Sequence, residues 1–259
     1  MNVDKLLIGE IMDIACKAGK IILENGGEIY RVEETMLYIC RTFGMKESEC
    51  YATPTSIVIS IIDAQGEVHT RMMRILSRGT NLFKVEAVNQ FSRSIMQNPV
   101  TIEEAKARLQ EINSSPSYPL WLTTLAAGLG TSAFTVIFGG GLSHFLWGFL
   151  LGAVLRLLIS ALEHIQLGYF TANLLCAATA ATGGWLLASF GLLPEWWIVT
   201  ISAMMLLVPG LLFTNALRDT VAGDLVSGIS RGLEALSIAA ALGFGAAAAL
   251  MILTMLGSR

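Results

Sequence analysis

From Ile112 to Leu155 the chain carries no Asp, Glu, Lys or Arg, and three further long apolar runs follow before Arg259. About 20 apolar residues suffice for a helix to cross the hydrocarbon core of a bilayer. The uncharged stretch is about twice that length, and Gly139-Gly140-Gly141 interrupts it near its middle, so it predicts two spans joined by a tight turn. Five membrane helices fit this half, at about 119–138, 142–161, 168–191, 196–216 and 234–256.

The first half has a different rhythm. Residues 4–25 set Leu6, Leu7, Ile11, Ile14, Ala15, Ala18, Ile21 and Ile22 at helical spacing, with Asp13, Lys17, Lys20 and Glu24 opposite and Asn25-Gly26-Gly27 as a stop. A second amphipathic helix is predicted from Glu28 to about Phe43. The β-branched run Ser56 to Ile62, the turn 64–67 and the alternation from Val68 to Leu76 predict a hairpin. Helices at about 81–96 and 101–113 follow, the second opened by Thr101 with Glu104 three positions on, the signature of a capping box. The expected architecture is an α+β domain over 1–113, a linker at 114–118 marked by Pro116 among serines, and an all-α transmembrane bundle of about five helices over 119–259.

Charge sharpens this division. Of the 17 Lys and Arg, all but Arg156, Arg218, Arg231 and Arg259 lie at or before Arg108. With the first domain in the cytoplasm, every inside loop of the bundle holds an arginine, and the far-side loops near Gly139 and Gly191 to Trp197 hold no Lys or Arg. That is the positive-inside pattern; it puts the C-terminus outside and the protein in the plasma or inner membrane as a multi-pass chain. The near-balanced charge of each part gives no footprint for nucleic acid. Cys16, Cys40, Cys50 and Cys176 form no CxxC pair and suit a reducing compartment. No signal peptide is visible. An odd number of spans is unusual for a self-contained carrier, since many are built from paired repeats, and hints at a missing half.

Chemistry concentrates between Val208 and Glu234. Pro209 removes a backbone donor inside an apolar run and Gly210 weakens the same turn, so a break is expected there. On a continuing helix Asn215 shares a face with Arg218 and Asp219, and Asp224 aligns with Gly228 and Arg231. Charges at a membrane boundary are candidates for substrate and ion handling, or else 217–232 is a solvated loop. Arg156 follows Gly148 and Gly152 on a small-residue face, where it could meet a carboxylate or snorkel to the headgroups. Asn173 is a lone polar side chain in the third span. In the first domain Arg71, Arg74 and Arg78 could form an anion site or pair with Glu28 and Glu33. His69, His144 and His164 are the only histidines and none has metal-ligand spacing; no GxSxG elbow exists, and no cofactor or metal is expected.

The motifs Gly27-Glu28 to Glu33, Thr53 to Thr55, Thr70-Arg71, Arg78 to Leu82 and Val88-Asn89, followed by Val208 to Gly210, Asp219, Gly223-Asp224, Gly228 and Arg231 to Glu234, resemble the threonine/serine exporter family across nearly the whole chain. The resemblance implies export of threonine and serine, or of succinate in some split members. It also implies a second, smaller membrane subunit, which a stop after five spans would suit. The expectation is a secondary-transport subunit in the lipid bilayer for a small carboxylate metabolite, coupled to protons. Arg218 or Arg156 would meet the substrate carboxylate, Asp219 or Asp224 would take the proton, and Pro209-Gly210 would be the pivot. A homo-oligomer, a regulatory subunit whose partner forms the pathway, and a membrane-anchored enzyme are the alternatives.

Overall fold

The helical spacing near the N-terminus forms α1 (Val3–Glu24) and α2 (Ile29–Thr42) in a computed structural model that describes residues 3–165 and 167–257. The stop between them is a glycine device. Gly26 takes a φ of 87°, and the N–H groups of Gly26 and Gly27 donate to the carbonyls of Leu23 (3.3 Å) and Ile22 (2.9 Å). The positive φ favours glycine, and the two bonds satisfy carbonyls that a helix end leaves orphaned.

The predicted hairpin is two thirds of an antiparallel sheet, β1 (Ser48–Thr53), β2 (Ser56–Ile62) and β3 (Val68–Arg74), in the order β1-β2-β3. Tyr51 lies opposite Val58, and Val58 opposite Met72. On the other face Ile57, Ile59 and Ile61 are fully buried in one core with Ile11, Ile14 and Ile22 of α1 and Met36 and Ile39 of α2. Each such side chain contributes about 1.5–3 kcal/mol by leaving water. Helices α3 (Leu82–Gln97) and α4 (Ile102–Ser114) complete the core with Val88, Ile95 and Leu109. Thr101 and Glu104 form the expected capping box at the start of α4.

The apolar half contains α5 (Leu120–Ile137), α6 (Leu142–His164), α7 (Tyr169–Ser189), α8 (Trp196–Met204), α9 (Gly210–Ala222) and α10 (Leu225–Gly257). Small residues bring α5 and α6 together: a Cβ on Gly148 would stand 2.7 Å from Thr135, and one on Gly152 would overlap Thr131. Four described helices are long and apolar enough to cross a membrane: α5, α6, α7 and Leu225–Met255 of α10. The single span expected at 196–216 is instead two helices. α8 has 9 residues, about 14 Å at the helical rise, and the chain turns before Pro209, which cannot donate to the preceding turn.

The boundary between units also differs from the expected one. The residues up to Ser117 form one unit together with Leu211–Gly232; Tyr118–Gly210 and the residues from Leu233 form the other. The stretch 217–232 is no loop but a helical hairpin of α9 and the start of α10. Gly223, at a φ of 98°, ends α9, and the Asp224 N–H donates to the Asp219 carbonyl at 2.8 Å. Gly228 lets the two helices touch, since a Cβ there would overlap the Thr220 side chain.

Candidate functional site

The α9–α10 hairpin turns its polar side chains onto the α1–α2 turn. Asn215 donates from Nδ2 to the Gly26 carbonyl at 2.9 Å, and Arg231 donates from Nη2 to the Gly27 carbonyl at 2.8 Å. Asp219 accepts the N–H of Ile29, the first residue of α2, at 3.4 Å through Oδ1. Its Oδ2 lies 3.3 Å from Arg231 Nη1. The Asp219 side chain is 0% exposed and that of Arg231 6%, so this is an ion pair inside protein. Nearer the surface, Glu28 pairs with Arg31 (Nε to Oε2, 2.8 Å) and with Nη1 of Arg218. Seven residues distant in sequence thus meet at one turn: Gly26, Gly27, Glu28, Ile29, Asn215, Asp219 and Arg231, with Arg218 at the rim.

This geometry separates the carboxyl groups. The Asp219 carboxyl is enclosed, with Arg231 and the Ile29 N–H beside it. Burial pushes Glu28 up, but its own backbone N–H, Arg31 and Arg218 outweigh it and hold it below the usual carboxylate range. Glu33 is pushed up by burial, eased by the Ala52 N–H it accepts at 2.8 Å, and raised again by the charge of Asp224. The arrangement sets a buried carboxyl, Asp219, next to a half-exposed guanidinium, Arg218.

The other sequence candidates lie elsewhere. Arg156 sits beside Glu163 (3.8 Å) and donates to Thr123 Oγ1 at 3.3 Å. Asn173 donates to the Tyr169 carbonyl of its own helix at 2.8 Å. Pro209 immediately precedes α9, which begins at Gly210. Arg71 pairs with Asp13 at 2.8 Å rather than with Glu28 or Glu33. Arg74 is three residues further along β3, on the opposite face of the strand, and Arg78 lies beyond it, so the strand does not gather the three arginines into one mouth. Asp63, Glu67 and His69 can each bring a ligand atom within 4.8 Å of the others in the β2–β3 turn. Asp63 there accepts the N–H groups of Gln65 and Glu67 and contacts His69 Nε2 at 2.8 Å, which braces the turn.

The family model described as "Putative threonine/serine exporter" matches residues 13–253, which includes every residue of this cluster. The chain belongs to the threonine/serine exporter family. Among its relatives, the "Probable succinate transporter subunit YjjP" of Klebsiella aerogenes is 25% identical over 100% of this chain and 99% of that protein. The "Threonine/serine exporter" of Corynebacterium glutamicum is 24% identical over 93% of this chain and 52% of its own length. For the "Probable threonine/serine exporter" of Mycobacterium tuberculosis the figures are 21%, 94% and 46%. No solved structure matches. Family and relatives are named for transport across membranes and not for an enzymatic reaction, and the four long apolar helices make this exporter-family chain a multi-pass membrane protein.

Sequence reasoning found both halves of the cluster without joining them. It missed the acceptors, which are backbone carbonyls of Gly26 and Gly27, and the true partners of Glu28. A signal was present: two glycines followed by an acidic residue at a helix junction expose carbonyls and an N-terminal amide that something must satisfy.

Proposed function

We propose that this chain is the larger subunit of a secondary-active exporter of small carboxylate metabolites, threonine and serine or succinate, driven by the proton gradient and completed by a smaller membrane subunit of the same family. The observation that carries the mechanism is the Asp219–Arg231 pair, buried against the backbone of the α1–α2 turn. Asp219 takes the coupling proton; protonation discharges the pair and frees Arg231 to change partners. Arg218, half exposed, meets the substrate carboxylate, and Pro209 supplies the break about which access alternates. The likeness to a named succinate transporter subunit over nearly its whole length supports a two-chain assembly.

The N-terminal unit is cytoplasmic in this reading. Three long apolar helices separate Ser117 from Leu211, yet both belong to one unit. A return to the same side of the membrane therefore needs a fourth crossing, which α8 and the broken segment after it provide; α10 is the fifth, and the C-terminus is outside.

Substituting Ala for Arg218 should abolish flux of substrate from loaded cells while the chain still inserts. Normal flux would remove Arg218 from the mechanism. The cluster's contacts with the α1–α2 turn also favour a second reading, a regulatory subunit in which the hairpin relays a signal from the first unit and the partner forms the pathway. Flux that survives Arg218→Ala and Asp219→Asn but loses its response to metabolite concentration would support it.

A further inference from the structure

The α9–α10 hairpin is built inside out for a helix pair in water. Its polar groups Asn215, Asp219 and Arg231 are buried at 5%, 0% and 5% exposure, whereas Phe213, Leu217 and Val221, one above another on α9, are exposed at 60%, 59% and 81%. At the start of α10, Leu225, Val226 and Ile229 are exposed at 56%, 64% and 61%. A surface helix normally turns its apolar stripe to the core and its charges to solvent. The reversed arrangement requires an apolar medium on the outside.

We infer that the outer face of this hairpin lies in lipid, so that residues 211–229 are part of the membrane-embedded surface and not of a cytoplasmic loop. Continuity with a membrane helix selects lipid as the occupant. The exposed apolar surface runs on along α10 without a change of character, through Leu233, Leu236, Phe244, Met251 and Met255 at 57–65% exposure, and this helix is itself apolar enough to cross the bilayer. Arg218, half exposed beside this face, has its charge paired with Glu28. The consequence for transport is that the Asp219–Arg231 pair is shielded by lipid on one side and by the α1–α2 turn on the other. The inference rests on the exporter reading for its bilayer, but its test is separate.

Spin labels on cysteines introduced one at a time at Phe213, Leu217, Val221 and Val226, in the full chain carrying Cys50→Ser, whose three remaining cysteines are buried, and reconstituted in phosphatidylcholine–phosphatidylglycerol vesicles, would report the medium. Accessibility to oxygen severalfold higher relative to a water-soluble nickel chelate than at Gln65, an exposed turn position, is expected at all four. Ratios equal to that of Gln65 would place the hairpin in water and overturn the inference. Protection from both reagents, appearing with the smaller subunit or with raised protein density, would assign the face to that partner or to a second copy and would overturn it equally. Efflux measured with the unlabelled chain and the smaller subunit keeps the outcomes distinct: no transport beside high oxygen accessibility would count against the exporter reading and leave the lipid contact standing.

Discussion

Arg231 and Gly27 stand 204 positions apart in sequence and meet at 2.8 Å. That contact, with Asp219 beside it, concentrates the energetic risk in the first unit. Removing one partner of a buried pair leaves an uncompensated charge, which costs about 3–5 kcal/mol. Arg231→Ala should therefore lower the midpoint of thermal unfolding sharply, and Arg231→Ala combined with Asp219→Ala should recover part of the loss. An additive double mutant would show that the two side chains are uncoupled. Glu28 makes a prediction of opposite character. Its carboxyl titrates below the usual 4.5 because Arg31 and Arg218 hold it charged. Since the unfolded chain binds that proton first, the stabilisation is complete above the usual value and is lost as pH falls through the lower folded one. The difference in melting temperature between the wild type and Glu28→Gln should thus be largest near neutrality and shrink as pH falls below the usual 4.5; a constant gap would mean that the charge of Glu28 contributes nothing.

Among the elements, those in the first unit follow the apolar periodicity closely: α1, α2, α3 and α4 begin and end within a few residues of the predicted positions, and β2 and β3 form the predicted hairpin. β1 escaped because its inward residues, Cys50 and Ala52, are small and its stretch of sequence carries no strong alternation. In the apolar half the period reveals helices but not where one breaks. A run from 196 to 216 has the composition of a span, and only the turn before Pro209 divides it. The α9–α10 hairpin is the element most sensitive to a single atom. A Cβ on Gly228 would overlap the Thr220 side chain and stand 3.0 Å from the Ala216 carbonyl. Gly228→Ala should cost about 1–3 kcal/mol by overpacking, measured as a fall in melting temperature, and should reduce flux by shifting Arg231 from its acceptors. An unchanged melting temperature would show that the hairpin is free to spread.

For the whole molecule the prediction concerns assembly. Cells loaded with serine, threonine and succinate should release one of these only when this chain and the smaller membrane subunit are expressed together. Release with this chain alone would mean a self-sufficient oligomer, and no release with both chains in the membrane would favour the regulatory reading. The sequence by itself determined the class of molecule: hydrophobic period and the abrupt loss of charge after Glu111 separate a mixed α and β unit from membrane helices, because local free energies of burial and backbone satisfaction depend mainly on residue type and spacing. It also marked Pro209 to Glu234 and Gly27 to Glu33 as unusual, since charges, prolines and glycines at such positions are costly. It could not pair them. Which carboxylate meets which arginine, and whether a polar residue on an apolar helix faces water, protein or lipid, depends on contacts between segments some two hundred residues apart. Only the folded arrangement decided that Asp219 and Arg231 are buried against the α1–α2 turn while Phe213, Leu217 and Val221 face outward. The physical reason is that burial and pairing are properties of a place in the fold, and the same residue pattern is compatible with a solvated loop until tertiary packing closes around it.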